Sequence, residues 1–149
     1  MRRLAIVAAI LAALTATATA AAHGHGSISE RVLGAAGTAH PYTIAVADPS
    51  DVVVAKATVP PGASFGWHSH RAAAVVVVKS GTLTLYDSAS ATCTPERFPA
   101  GHGFVEQPDH VHLARNEGRK PVVLYVTYLG LPHGVDPDVP AAPPGNCPF

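Results

Sequence analysis

The sequence predicts a single all-β domain, a sandwich or a barrel, and three observations carry that expectation. Short β-branched segments recur along the chain with turn residues between them, and no 3.6-residue apolar stripe persists for a dozen residues. The chain is also only 149 residues long, with 48% hydrophobic and 13% charged side chains, which leaves no sequence for a second domain.

The candidate strands, in order, are Tyr42 to Ala47, Val52 to Val59, Ser64 to His70, Ala74 to Lys79, Thr82 to Tyr86, Phe104 with its neighbours, Val111 to Asn116 and Pro121 to Tyr128. The breaks carry their own turn chemistry: Asp48-Pro49-Ser50-Asp51, Pro60-Pro61-Gly62, Lys79-Ser80-Gly81 and Asn116-Glu117-Gly118. Val75 to Val78 is apolar on both faces, so that strand is expected between two layers or at the centre of a barrel wall. Outside the strands, residues 23–41 read as a flexible amino-terminal segment. Residues 131–149, with Pro132, Pro137, Pro140, Pro143, Pro144 and Pro148, read as a tail draped on the surface.

The amino end has the form of a secretory signal peptide over residues 1–22: Arg2 and Arg3, an uncharged run from Leu4 to Leu14, then Ala and Thr up to Ala22. The apolar run is well short of the roughly 20 residues a bilayer-spanning helix needs. Export, with no membrane span in the mature chain, is therefore expected. The paired arginines also fit the twin-arginine route, although two arginines make an ordinary positive n-region. Without residues 1–22, 8 basic side chains face 10 acidic ones, a net charge of 8 − 10 = −2. No basic stripe is present, which argues against a nucleic-acid partner.

Two cysteines in an exported chain predict a Cys93–Cys147 disulfide pinning the tail to the barrel. A thiolate ligand or nucleophile is the weaker reading, because both cysteines sit among Pro, Thr and Asn in loop contexts.

Four of nine histidines fall in two pairs, His68-Ser69-His70 and His110-Val111-His112, each in a β-patterned segment. Residues i and i+2 of a strand share a face, so each pair can present two imidazoles to one side. If the strands face one another across a barrel interior, three or four imidazoles converge as ligands for Fe, Cu, Zn or Ni. One His-x-His is common by chance. Two such pairs about 40 residues apart, each after a Pro-bearing turn, are much harder to dismiss.

Gly62-Ala63-Ser64-Phe65-Gly66-Trp67-His68-Ser69-His70, continuing to Gly81-Thr82-Leu83, resembles the first cupin motif. Pro99-Ala100-Gly101 followed by His112-Leu113-Ala114-Arg115-Asn116 resembles the second. The resemblance covers roughly residues 50 to 130. It implies an antiparallel double-stranded β-helix, the jelly-roll or cupin barrel, over residues 42–130, with His68, His70 and His112 at the three histidine-ligand positions. Asn116 matches a family asparagine that closes the turn after its strand. Cupins often pair through sheet edges, which leaves a homodimer open.

This sequence departs from the family pattern twice. The family glutamate ligand belongs near position 74, where the chain has Ala73-Ala74-Val75, so the expected site is a neutral histidine set. His110, of the same parity as His112, is the preferred candidate for the vacant position, as an optional ligand or as support for the others. Glu106 is the weaker candidate, because Pro108 interrupts strand geometry between Glu106 and His112. The second departure is the gap of about ten residues between Gly101 and His112. Either a longer loop intervenes or Pro108-Asp109 replaces the usual turn.

The other histidines read more blandly. His102, His40 and His133 sit at turns or beside proline, and His23-Gly24-His25 is a polar stub after the cleavage site that could also chelate Cu(II). Phe65, Trp67, Tyr86, Tyr125 and Tyr128 are core candidates, and only nearness to a metal would make one a substrate contact. No nucleophile elbow or phosphate loop appears. Two functions remain: a metal-dependent enzyme of dioxygenase or isomerase type acting on a small molecule, or a non-catalytic secreted protein that binds a metal or small ligand.

Overall fold

A computed structural model describes residues 29–46, 49–147 and 149. The segment 1–22 and the pair His23 and His25 lie outside the described residues, and the compact unit that holds the strands is Val32–Phe149. Its strands are β1 (Gly37–Thr38), β2 (Asp51–Val59), β3 (Ser64–His70), β4 (Ala73–Ser80), β5 (Thr82–Asp87), β6 (Glu96–Pro99), β7 (His102–Glu106), β8 (His112–Arg115), β9 (Val122–Leu131) and β10 (Asp138–Pro140). Two five-stranded sheets result, ordered β1-β7-β4-β9-β2 and β10-β3-β8-β5-β6, and every pairing except β1 with β7 is antiparallel. Among the described residues no helix is long and apolar enough to cross a membrane. The all-β expectation holds.

Alternation decides which side chains fill the space between the sheets. Ala74, Val76 and Val78 of β4 point inward, as do Leu124 and Val126 of β9, and they meet Leu83, Phe98, Phe104 and Ala114. Each such valine or leucine contributes about 1.5–3 kcal/mol by leaving water. The valine run lies at the centre of its sheet, as its two apolar faces demand; Val75 and Val77 on the outer side are half-buried. A second cluster of Trp67, Tyr86, Cys93 and Leu113 lies on the other face of the β3–β8–β5 sheet, against Ala141 and Cys147 of the tail.

Turn chemistry is sharp at Gly81, which has φ of 79° and whose Cβ, if present, would meet Val122 at 2.9 Å. A side chain there is excluded by both conformation and space. Asn116 closes the loop after β8: its Nδ2 donates to the carbonyls of Val59 (2.8 Å) and Lys120 (2.9 Å), and its Oδ1 accepts from the Gly118 amide at 2.9 Å.

The structure adds the short strands β1 and β6, which were not expected, and departs from the expected elements elsewhere too. Residues 42–46 form no strand. The gap between Gly101 and His112 holds strand β7 and then a tight turn in which Asp109 has φ of 61°. The tail is more than a surface drape: β10 pairs with β3 in the register Asp138 to His70 and Pro140 to His68. The expected Cys93–Cys147 disulfide is formed, with Cα atoms 5.3 Å apart. Trp67 Nε1 donates to the Phe149 carbonyl at 2.8 Å, so the tail is strapped across the outer edge of β3.

Candidate metal centre

Three buried imidazoles meet between the sheets. On β3 the alternation that sends Trp67 to the outer cluster turns His68 and His70 inward, and on β8 Leu113 goes outward while His112 goes inward. His68 and His112 are directly opposed across the β3–β8 ladder, with ring centroids 4.4 Å apart. His70 stands 4.9 Å from His68 and 5.1 Å from His112 by the same measure. One ring nitrogen from each lies within 4.8 Å of the others, a spacing that could hold a metal ion.

Their orientation is fixed from behind. His68 Nδ1 lies 2.9 Å from the Gly66 carbonyl and His112 Nδ1 lies 2.9 Å from the His110 carbonyl. A carbonyl only accepts, so both Nδ1 atoms carry the proton, and in the neutral rings Nε2 presents a lone pair to the centre. Behind His70 the oxygen is a carboxylate: Asp138 Oδ1 of β10 lies 3.0 Å from Nδ1, off the line of the ring N–H. Metal-ligating histidines are commonly oriented by partners of this kind.

The centre also contains a carboxylate, which corrects the expectation of a neutral histidine set. Glu106, on β7, is buried with Oε2 2.9 Å from His70 Nε2 and Oε1 2.9 Å from His112 Nε2. It is the direct cross-strand partner of Ala74 in the β4–β7 ladder. The side chain missing at position 74 is thus supplied from the neighbouring strand, at the same level of the sheet. Pro108 does not interfere, because β7 ends at Glu106 and the turn lies beyond it.

His110 does not join the centre, a second correction. β8 begins only at His112, so the i, i+2 parity that was to pair the two rings does not apply. The His110 ring is half-exposed, and its Nε2 lies 3.0 Å from Asp87. Its contribution is the carbonyl that holds His112.

Charge follows from these contacts. Burial raises the Glu106 pKa, but the close approach of His112 and of the hydrogen-bonded His70 outweighs it and brings the value down to about 2. Burial lowers His70, but Asp138 and Glu106 outweigh it and raise the value to about 9. His68 is lowered, chiefly by burial.

The set fits a cation. With Nδ1 protonated, the His112 Nε2 lone pair faces a carboxylate oxygen at 2.9 Å, and this buried nitrogen has no directed hydrogen-bond partner. Two lone pairs at that distance repel unless a proton or a positive ion lies between them.

A cavity of about 270 Å³ opens onto His68, His70 and Glu106, with Tyr128 at its wall and Phe65 at its edge. The Tyr128 ring is 5.3 Å from that of His70. Trp67 and Tyr86 belong to the outer cluster, and Tyr125 lies on the far face of β9 against Gly34. A larger cavity of about 430 Å³ reaches Glu106 and His112 from the side of Asp87 and Glu96, but touches neither His68 nor His70. His68 and His70 therefore line the smaller cavity and His112 the larger, with Glu106 reached from both. His40 lines the larger cavity, while His102 is exposed and His133 pairs with Asp51. Sequence reasoning missed Asp138, whose place depends on where the tail lands, and undervalued Glu106, whose place depends on cross-strand register.

Solved structures with a similar fold include a protein with a double-stranded β-helix domain from Klebsiella pneumoniae subsp. pneumoniae MGH 78578, at 25% identity and a TM-score of 0.47, covering 57% of this chain and 73% of that one. The DMSP lyase DddQ from Ruegeria pomeroyi DSS-3 matches at 19% identity and a TM-score of 0.53, covering 64% of this chain and 46% of the lyase. A predicted oxalate decarboxylase from Thermotoga maritima matches at 20% identity and a TM-score of 0.46, covering 53% and 66%. This chain therefore spans about half the length of the lyase. No curated protein matches it. Residues 55–128 match the cupin domain model, and with two antiparallel-rich sheets enclosing the histidine cluster, the chain belongs to the cupin family.

Proposed function

We propose that this chain is an exported metal-binding cupin that holds one divalent transition-metal ion through Nε2 of His68, His70 and His112, with Glu106 as an oxygen donor. The supporting observation is the direction of the rings: carbonyls hold His68 and His112 by Nδ1, leaving Nε2 of both for the centre, and the buried Glu106 carboxylate lies 2.9 Å from Nε2 of His70 and of His112. Fe, Cu, Zn and Ni all suit imidazole with one carboxylate. Bound there, the ion would supply Lewis-acid polarisation of a small molecule's donor atom. The protein's own residues would then orient that molecule in the 270 Å³ cavity, with Tyr128 beside it and apolar walls excluding water.

Export is supported by the signal-like segment 1–22 and by the disulfide, which an oxidising compartment sustains. Intact mass of the protein recovered from the culture medium or periplasm, beginning after Ala22, tests that part. Full-length chain confined to the cytosol overturns it.

Metal content decides the central claim. Wild type is expected to carry close to one ion per chain, and the His68→Ala, His70→Ala double variant close to none. Equal, negligible metal in both sinks the reading. A dioxygenase or isomerase and a non-catalytic binder share this site, and oxygen uptake or product formation with thiols, diketones and phenolics separates them. Turnover by the loaded protein favours the enzyme, and its absence favours the binder.

A further inference from the structure

The cavity in front of His68 and His70 has one polar end and one apolar body. His68, His70, Glu106, Tyr128 and Asp138 form the end, and the rest of the lining is hydrocarbon. Val53, Ala55 and Ala57 of β2 face Leu124 and Val126 of β9, with Leu83 behind them. No lysine or arginine lines it among the described residues. Lys56, between two of these alanines, is on the exposed face of its strand by alternation.

From this lining we infer that the ligand is a neutral, mainly apolar small molecule about the size of one substituted ring, with a single polar group that meets the metal end. The inference rests on the metal reading above and adds the class of molecule.

Charge and solvation lead to that class. A divalent ion with the Glu106 and Asp138 carboxylates sums to 2 − 1 − 1 = 0, so an anion gains no net attraction and meets no cationic side chain to replace its water. A cationic ligand would approach the metal directly. A sugar or other polyol would turn hydroxyls against valine, alanine and leucine and leave them unpaired, at about 1–3 kcal/mol each. A hydrocarbon body gains about 25 cal/mol for each Å² removed from water. The volume of about 270 Å³ lies at the small end of ligand sites, which commonly run from ~300 to ~1,000 Å³. Ala55 and Ala57 create the space on the β2 side.

The test is titration calorimetry on zinc-loaded protein at neutral pH with four probes: 4-ethylphenol, benzoate, benzylamine and glucose. Zinc content is measured separately on the same sample. 4-Ethylphenol is expected to bind at least tenfold more tightly than benzoate or benzylamine, with no heat from glucose. Ala57→Lys is expected to narrow or reverse the preference by about tenfold in favour of benzoate, and Ala55→Lys serves if the first variant fails to fold. Benzoate binding as tightly as 4-ethylphenol to wild type, or no 4-ethylphenol binding to fully zinc-loaded protein, overturns the inference and leaves the metal reading intact. Selective 4-ethylphenol binding by protein that takes up no zinc supports the apolar cavity and overturns the metal reading instead.

Discussion

Glu106 carries most of the site's chemistry in one side chain. Buried between two imidazoles and ionised down to about pH 2, it gives the centre the formal negative charge that Ala74 cannot. Glu106→Gln preserves the shape but removes that charge, and is expected to weaken metal binding by at least about tenfold, measured by competition with a calibrated chelator. An unchanged affinity would show that the three histidines suffice. His70 sets a pH dependence in chelator-treated protein. Its folded pKa of about 9 lies above the ordinary 6.5, so its contribution to stability is complete below pH 6.5 and is lost as pH rises through 9. Glu106, depressed to about 2 from 4.5, contributes fully above pH 4.5 and loses its contribution as pH falls through 2. The thermal midpoint of metal-free protein is therefore expected to fall between pH 6.5 and 9, and the fall should be absent in His70→Asn. In the presence of metal the trend is expected to reverse, because an ion held by His70 Nε2 would have to replace its proton and would bind better as that proton is lost.

At the scale of elements, β3 is the strand on which the site depends. It carries two of the imidazoles, pairs with β8 on one side and is covered by β10 on the other. β10 is only three residues long and belongs to a proline-rich tail, yet it places Asp138 beside His70. The Cys93–Cys147 bond, spanning 54 residues, ties this tail to the loop after β5. Replacing both cysteines by serine is expected to cost about 4 kcal/mol in chemical denaturation, by the chain-entropy estimate. It should also speed metal loss to a chelator, because the strap behind His70 loosens. A destabilised variant that releases metal at the wild-type rate would show that β10 holds its place without the bridge.

For the molecule as a whole, the two sheets must stay in register for imidazoles from one to meet a carboxylate from the other. Asn116 is a stitch between them: fully buried after β8 of one sheet, it donates to Val59 at the end of β2 in the other. Asn116→Ala leaves the Val59 and Lys120 carbonyls and the Gly118 amide short of a partner. It is expected to lower unfolding free energy by about 2–4 kcal/mol in denaturant titration, while metal stoichiometry in the folded fraction stays that of wild type. A loss of less than about 0.5 kcal/mol would mean that the loop closes without it.

Much of this was legible along the chain. Period-two alternation in β3 and β8, the valine run of β4, the turn glycine Gly81 and the inward parity of His68 and His70 are local properties, fixed by a backbone that sends alternate side chains to opposite faces. So the all-β architecture, the positions of most strands and the three histidines could be read from residue order. The structure alone decided what depends on which strand lies beside which. Register across β4 and β7 put Glu106 opposite Ala74, a late strand start at His112 released His110 to the surface, and the docking of the tail brought Asp138 to His70. Cross-strand neighbours are chosen by packing and hydrogen bonding between segments far apart in sequence, and parity counted along one strand carries no information about them.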